Sequence, residues 1–182
     1  PNETISKIAL GIVLLLVHLN GHGQSPVDNR IDNVLNDAPI RAKFGDYDIG
    51  VRTLVLTDRN RPDIVNTTNG ENTATYDRPL TVEVWYPAML AAGQQAGGEY
   101  QAITRNPSIV ATLKGSAVRD AAPAEGTFPL VIISHGYPGN RFLMSHTGES
   151  LASKGYVTVS IDHKDSTYDD QQAFGSTLYN RP

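Results

Sequence analysis

The segment SHGYPGN, residues 134–140, has the residue types best suited to chemistry. It follows the apolar run Leu130–Ile133, so it lies where a buried strand would end. Gly136 and Gly139 allow the backbone to turn tightly and to come close to a ligand. Pro138 has no N–H group, and the other residues of the turn supply backbone donors. A turn of this kind can place N–H groups around an oxyanion that develops in a reaction.

A second polar segment, DHKDSTYDD at residues 162–170, follows another apolar strand. Ligands of an open parallel sheet bind outside the carboxyl ends of its strands. We therefore expect Asp162 and His163 to lie beside the turn and to line the same site. Carboxylates and histidines at this spacing can also bind Zn²⁺ or Ca²⁺. Because no remote ligands complete such a set, a solvated loop is the favoured interpretation and no metal is predicted.

His135 is the most conspicuous candidate for a catalytic base. With Asp162 and Ser166 it would form a triad in the order His, Asp, Ser, which belongs to a β-barrel protease and not to a strand–helix–strand unit. The favoured interpretation is that His135 holds the turn by hydrogen bonds.

The composition excludes several classes of function. A net charge of −4 over 182 residues provides no basic field for nucleic acid. The chain has no cysteine, so disulfides, thiolate metal sites and a cysteine nucleophile within it are excluded.

The first 25 residues have the pattern of a secretory signal peptide. Lys7 precedes the apolar run Ile8–Leu19, and the small residues Gly21 and Gly23 follow it. The run is shorter than the roughly 20 residues that span a bilayer. We predict an exported protein (secreted, periplasmic or in the cell envelope) that contacts a membrane through this segment alone; an uncleaved anchor is the alternative.

The rest of the chain predicts a mixed sheet. Residues 26–45 are interpreted as a linker. Residues 46–61 and 78–88 alternate apolar and polar side chains and are interpreted as two antiparallel strands. A polar connection at 58–79 joins them, and Pro87 is expected to end the second strand. Residues 88–127 are interpreted as a surface excursion with a short helix at 106–115. From residue 128 onward, the pattern predicts a parallel βαβ unit. Its first strand is apolar and expected to be covered on both faces, its helix is capped by Asn140 and closed by Gly155, and a second apolar strand follows.

Residues 128–170 also carry a resemblance to a known family. A strand ends in Ser-His-Gly-x-x-Gly, a helix contains Leu-Ala-Ser-x-Gly-Tyr, and a strand ends in an acidic residue followed by His-x-Asp. With IGVRTL at 49–54 and VEVWYPA at 82–88, the chain resembles the platelet-activating-factor acetylhydrolase-like and dienelactone-hydrolase-like group of α/β-hydrolases. The resemblance covers roughly residues 45–182.

The resemblance implies that the backbone N–H of Tyr137 is one donor of an oxyanion hole. The family's serine nucleophile lies in Gly-x-Ser-x-Gly, a motif that is absent from these 182 residues. Its triad follows the order Ser, Asp or Glu, His, so nucleophile, acid and catalytic histidine are all expected beyond Pro182. The chain alone is therefore expected to be inactive.

These patterns together predict the N-terminal part of an α/β-hydrolase fold, with residues 46–182 as an incomplete single domain. The expected function is an exported serine hydrolase that acts on small or lipid carboxylic esters without a cofactor. Two alternatives stay open: a dienelactone-type hydrolase with a cysteine nucleophile, and a non-catalytic, hydrolase-like binding domain.

Overall fold

A computed structural model describes residues 28–64, 66–67, 74–172, 174–179 and 181. The predicted signal peptide at residues 1–25 lies outside the described residues. Within the described part, no helix combines the length and the apolar character needed to cross a membrane. Residues 28–45 contain a 3₁₀ helix at Ile40–Ala42, and Ile31 and Phe44 pack against the core.

The two leading strands form a long antiparallel pair. Strand β1 spans Asp48–Pro62 and β2 spans Thr75–Met89, paired along almost their whole length. Both strands extend into the polar connection predicted at 58–79. The prediction that Pro87 ends the second strand is wrong, because a proline can adopt extended backbone and its carbonyl still accepts the N–H of Ala124 at 2.9 Å.

Residues 98–115 form a β-hairpin where a helix was predicted at 106–115. Strand β3, Gly98–Ile103, pairs antiparallel with β4, Val110–Gly115. Asn106 caps a turn between them, since its Oδ1 accepts the N–H of Ser108 at 3.2 Å. The segment is more than a surface excursion, because Tyr100 of β3 is buried in the core. Strand pairing and this burial outweigh the helix-capping pattern.

The predicted βαβ unit is confirmed. Two short strands come first, β5 at Val118–Arg119 and β6 at Ala122–Pro123. The unit itself consists of strand β7 at Leu130–Ser134, helix α1 at Ser145–Ala152 and strand β8 at Val157–Ile161. Strands β7 and β8 are parallel. Helix α1 begins later than predicted, because Asn140 caps the preceding turn by accepting the N–H of Phe142 at 2.9 Å. Gly155 follows the helix with φ +89°, as its position predicted. A further helix, α2, spans Phe174–Tyr179.

The main sheet is mixed, as predicted. Its order is β5-β1-β2-β8-β7, with β6 beside β2, while β3 and β4 form a separate two-stranded sheet. Strand β8 lies antiparallel to β2 and parallel to β7. The antiparallel leading edge is therefore followed by a parallel pair whose carboxyl ends lie side by side.

Trp85 lies in the core and is fully buried. A Cβ atom on Gly148 of α1 would lie 2.5 Å from its ring, so only glycine allows the helix to approach the sheet this closely. The indole N–H donates to the hydroxyl of Tyr100 at 2.9 Å, and that hydroxyl donates to the buried carboxylate of Glu149 at 2.5 Å. This chain of bonds joins the sheet, the hairpin and α1.

Strand β7 has one exposed face, which corrects the prediction that the strand is covered on both faces. It pairs only with β8 among the described residues. Leu130 is 59% exposed and Ile132 is 62% exposed. Its continuous apolar sequence is nevertheless typical of a strand buried on both sides.

Candidate active site

The structure brings the two polar segments together at the carboxyl ends of β7 and β8. The N–H of Gly139 donates to the carbonyl of Ser166 at 3.0 Å, and the N–H of Tyr168 donates back to Gly139 at 3.1 Å. The N–H of His163 donates to Nε2 of His135 at 3.1 Å. The turn at 134–140 is thus held by the neighbouring loop as well as by its own sequence.

His135 uses both ring nitrogens to hold backbone. Because Nε2 accepts the N–H of His163, the proton lies on Nδ1, which donates to the carbonyl of Gly136 at 2.6 Å. Burial lowers the pKa of this imidazole and favours its neutral form. Within the described part of the chain, no hydrogen bond joins His135 to Asp162 or Ser166, so the geometry does not assemble the alternative triad.

Ser134 and His163 are arranged like a nucleophile and its base, with Oγ 2.7 Å from Nε2. His163 is fully buried, and its Nδ1 has no partner among the described residues. No carboxylate among the described residues binds Nδ1, so the pair lacks the group that orients the base of a triad.

Tyr137, the predicted oxyanion donor, has its side chain bound and its N–H unused. The hydroxyl donates to the carbonyl of Gln172 at 2.5 Å, and the ring packs against Phe174 with centroids 5.0 Å apart. No acceptor among the described residues binds the Tyr137 N–H. Its peptide bond to Pro138 is cis.

The two glycines of the turn have different surroundings. A Cβ atom on Gly139 would lie 2.6 Å from Nδ1 of His135 and 2.8 Å from a methyl carbon of Leu143, so a side chain there would displace both. A Cβ atom on Gly136 would meet nothing within 4 Å. The turn is therefore closely packed at Gly139 and open at Gly136, next to the Tyr137 N–H.

Asp162 is engaged in fixing the chain that leaves the turn. Its Oδ1 accepts the N–H of Arg141 at 2.6 Å, and its other oxygen pairs with the Arg141 guanidinium. The same guanidinium lies 3.2 Å from the fully buried Glu83, which also pairs with Arg119 at 2.5 Å. Two guanidinium groups thus compensate the buried charge. Asp162 also borders a cavity of about 150 Å³.

The acidic loop forms no metal centre in the part of the chain that the structure describes. No group of three or more histidine, cysteine, aspartate or glutamate side chains there is placed to hold an ion.

Comparison with known proteins places this geometry in a family. The family model described as platelet-activating factor acetylhydrolase, isoform II, matches residues 34–174, which include both polar segments. The chain belongs to this family. A search of curated proteins finds none that matches.

A solved structure gives the same assignment for the fold of this acetylhydrolase-family chain. A ferulic acid esterase from Streptomyces cinnamoneus superposes with a TM-score of 0.55 at 26% sequence identity, over 77% of this chain and 38% of the esterase chain. The chain thus spans well under half of the esterase. Its fold is the N-terminal part of an α/β-hydrolase fold: antiparallel leading strands, then a parallel βαβ unit.

The acetylhydrolase-family site contains residues that the sequence analysis missed. Arg181 donates to the carbonyls of His135 and Gly136, at 2.6 and 3.1 Å, from 45 residues or more along the chain. Ser134 and Arg141 also contribute, through His163 and Asp162. A local pattern could have signalled only Ser134, by its place in the turn, and the partners of all three residues come from distant segments.

Proposed function

We propose that the chain is part of an exported serine hydrolase that acts on carboxylic esters, and that it supplies one donor of the oxyanion hole. The observation that carries the proposal is the Tyr137 N–H. It lies at the carboxyl end of β7, in a turn fixed by its neighbours, and binds no described acceptor. The family's name and the ferulic acid esterase support ester hydrolysis.

The proposed reaction uses this chain to stabilise charge. A serine from another part of the protein attacks the ester carbonyl, and the oxyanion of the tetrahedral intermediate accepts N–H groups from Tyr137 and from the residue after the nucleophile. The catalytic histidine takes the serine proton and gives it to the leaving alcohol, and water then hydrolyses the acyl-enzyme. The hydrogen bonds of His135, Gly139 and Arg181 keep the Tyr137 N–H in place. The proposed reaction uses no cofactor.

We further propose that nucleophile, acid and catalytic histidine come from additional strands and helices beside β7. The exposed side chains of Leu130 and Ile132 support this, because such apolar surface is stabilised when a neighbouring element covers it. The 182 residues alone should then not hydrolyse esters. N-terminal sequencing of protein recovered outside the cytoplasm tests export, and an intact segment 1–25 there would exclude cleavage.

The oxyanion assignment is tested by Tyr137→Pro in the full-length enzyme, with Tyr137→Ala as the control. Proline removes the N–H, whereas alanine keeps it and removes only the side-chain contacts. We expect kcat for an acetyl ester to fall by about 10²–10³ more in the proline variant than in the alanine variant. Equal rates in two variants with the same unfolding midpoint would exclude Tyr137 as the donor.

The same protein separates the alternatives. Turnover that a phosphonate abolishes supports the serine enzyme, whereas turnover that resists phosphonate and is abolished by iodoacetamide supports the dienelactone-type cysteine enzyme. Saturable ester binding without turnover would support the binding domain.

A further inference from the structure

An apolar pocket of about 360 Å³ lies between the β3–β4 hairpin and the start of α1. Seven of its twelve lining residues are apolar or aromatic, and the polar ones are Thr104, Arg105, Asn140, Ser145 and His146. Its volume falls in the usual range of small-molecule sites. Trp85 is not among the lining residues, because it is buried in the core.

Three contacts join this pocket to the oxyanion turn. The side-chain amide of Asn140 donates to the carbonyl of Ile103 at 2.7 Å, which ties the hairpin wall to the end of the turn. Leu143 lines the pocket and lies so close to Gly139 that a Cβ atom there would be 2.8 Å from its methyl carbon. Tyr168 also lines the pocket and donates its N–H to the carbonyl of Gly139.

We propose that this pocket binds an extended apolar acyl chain of the ester substrate, an inference that rests on the proposed function. A cavity of about 150 Å³ holds one benzene, so this pocket accommodates roughly six to twelve carbon atoms, well beyond an acetyl group. Its wall contacts Gly139, so a chain bound there lies beside the turn whose Tyr137 N–H binds the oxyanion. Selectivity for acyl length is therefore set by the hairpin and by Leu143.

The test compares p-nitrophenyl acetate with p-nitrophenyl octanoate in the full-length enzyme. Leu143→Trp and Ile103→Trp fill the pocket from two sides. Leu143 packs against Gly139 of the turn, whereas Ile103 belongs to strand β3 of the hairpin. Met144→Trp is the matched control, because Met144 is 40% exposed, next to the 44% exposed Leu143, and does not line the pocket.

We expect kcat/KM for the octanoate to fall at least tenfold in both pocket variants. In Ile103→Trp, which alters the hairpin and not the turn, the acetate value should stay within about threefold of wild type. The control should leave the ratio of the two unchanged. Equal losses for both esters in Ile103→Trp, or no loss for the octanoate, would overturn the proposal while the enzyme remains an esterase.

Binding of 1-octanol, followed by calorimetry, separates failure of the pocket from failure of the proposed function. Saturable binding that is lost in Leu143→Trp would support the pocket even if the protein hydrolysed no ester. Octanol binding that is absent from the wild type, or unchanged in the pocket variants, would overturn it.

Discussion

Acid should destabilise the folded protein through His163. The side chain is fully buried, and burial is the main reason that its pKa falls from 6.5 to about 4, with further contributions from the cations of Arg181 and Arg78 and from the nearby imidazole of His135. The folded state therefore binds a proton to His163 only at a lower pH than the unfolded chain does.

The sign and size of the effect follow from this difference. At about pH 8 and above, His163 is neutral in both states and adds no pH dependence. As the pH falls from there to about 4, the unfolded chain gains the proton before the folded state does, so the free energy of unfolding decreases. The full loss is at most about 3 kcal/mol, and most of it is reached near pH 4.5. His135 acts in the same direction, because burial also lowers its pKa.

Urea unfolding at about pH 7.5, 6.5, 5.5 and 4.5 measures this loss, and His163→Gln isolates the contribution of one residue. Glutamine stays neutral throughout, and its amide can still reach Ser134. The variant should lose less stability on acidification than wild type, by up to about 3 kcal/mol. His146→Gln makes the same substitution at an exposed histidine of α1 and serves as the control. An acid loss in His163→Gln as large as in wild type would refute the reasoning.

Two substitutions test the packing that supports the site. Gly148→Ala would place a Cβ atom 2.5 Å from the buried Trp85 ring, so we expect the free energy of unfolding in urea to fall by about 1–3 kcal/mol. Gly175→Ala in α2 is the control and should be neutral or stabilising, because a Cβ atom there meets nothing within 4 Å. Glu149→Leu would remove the acceptor of the Ser116 and Ala117 N–H groups and of the Tyr100 hydroxyl, with an expected loss of about 3 kcal/mol or more. Glu149→Gln keeps one acceptor oxygen and should lose clearly less; equal losses would show that the hydrogen bonds do not carry the effect.

Local patterns were sufficient for the parallel unit. The apolar runs of β7 and β8 and the left-handed Gly155 are features of short segments, and the structure places them as those segments predict. The pattern of β7 also predicted burial on both faces, whereas Leu130 and Ile132 are exposed. A pattern indicates the environment in which a strand is stable, but it does not provide the neighbour that creates this environment.

Local patterns failed where the partners are distant. Asn106 and Pro107 match the start of a helix, but residues 110–115 pair with 98–103 instead, and the decisive contacts are those of Tyr100 with Trp85 and Glu149. In the same way, the turn sequence indicates N–H donors but not the guanidinium of Arg181 that binds its carbonyls.

The role of His163 shows why residue types alone do not define the chemistry of this site. A serine and a histidine at the ends of adjacent parallel strands suggest a nucleophile and a base, and their 2.7 Å separation fits that interpretation. The described residues do not complete that arrangement, because no carboxylate among them binds Nδ1 of His163. The histidine pair then fixes the backbone of the turn, and no described partner accepts the Tyr137 N–H. The hairpin that local patterns missed also forms a wall of the apolar pocket, so the pocket and the turn both depend on contacts between distant segments.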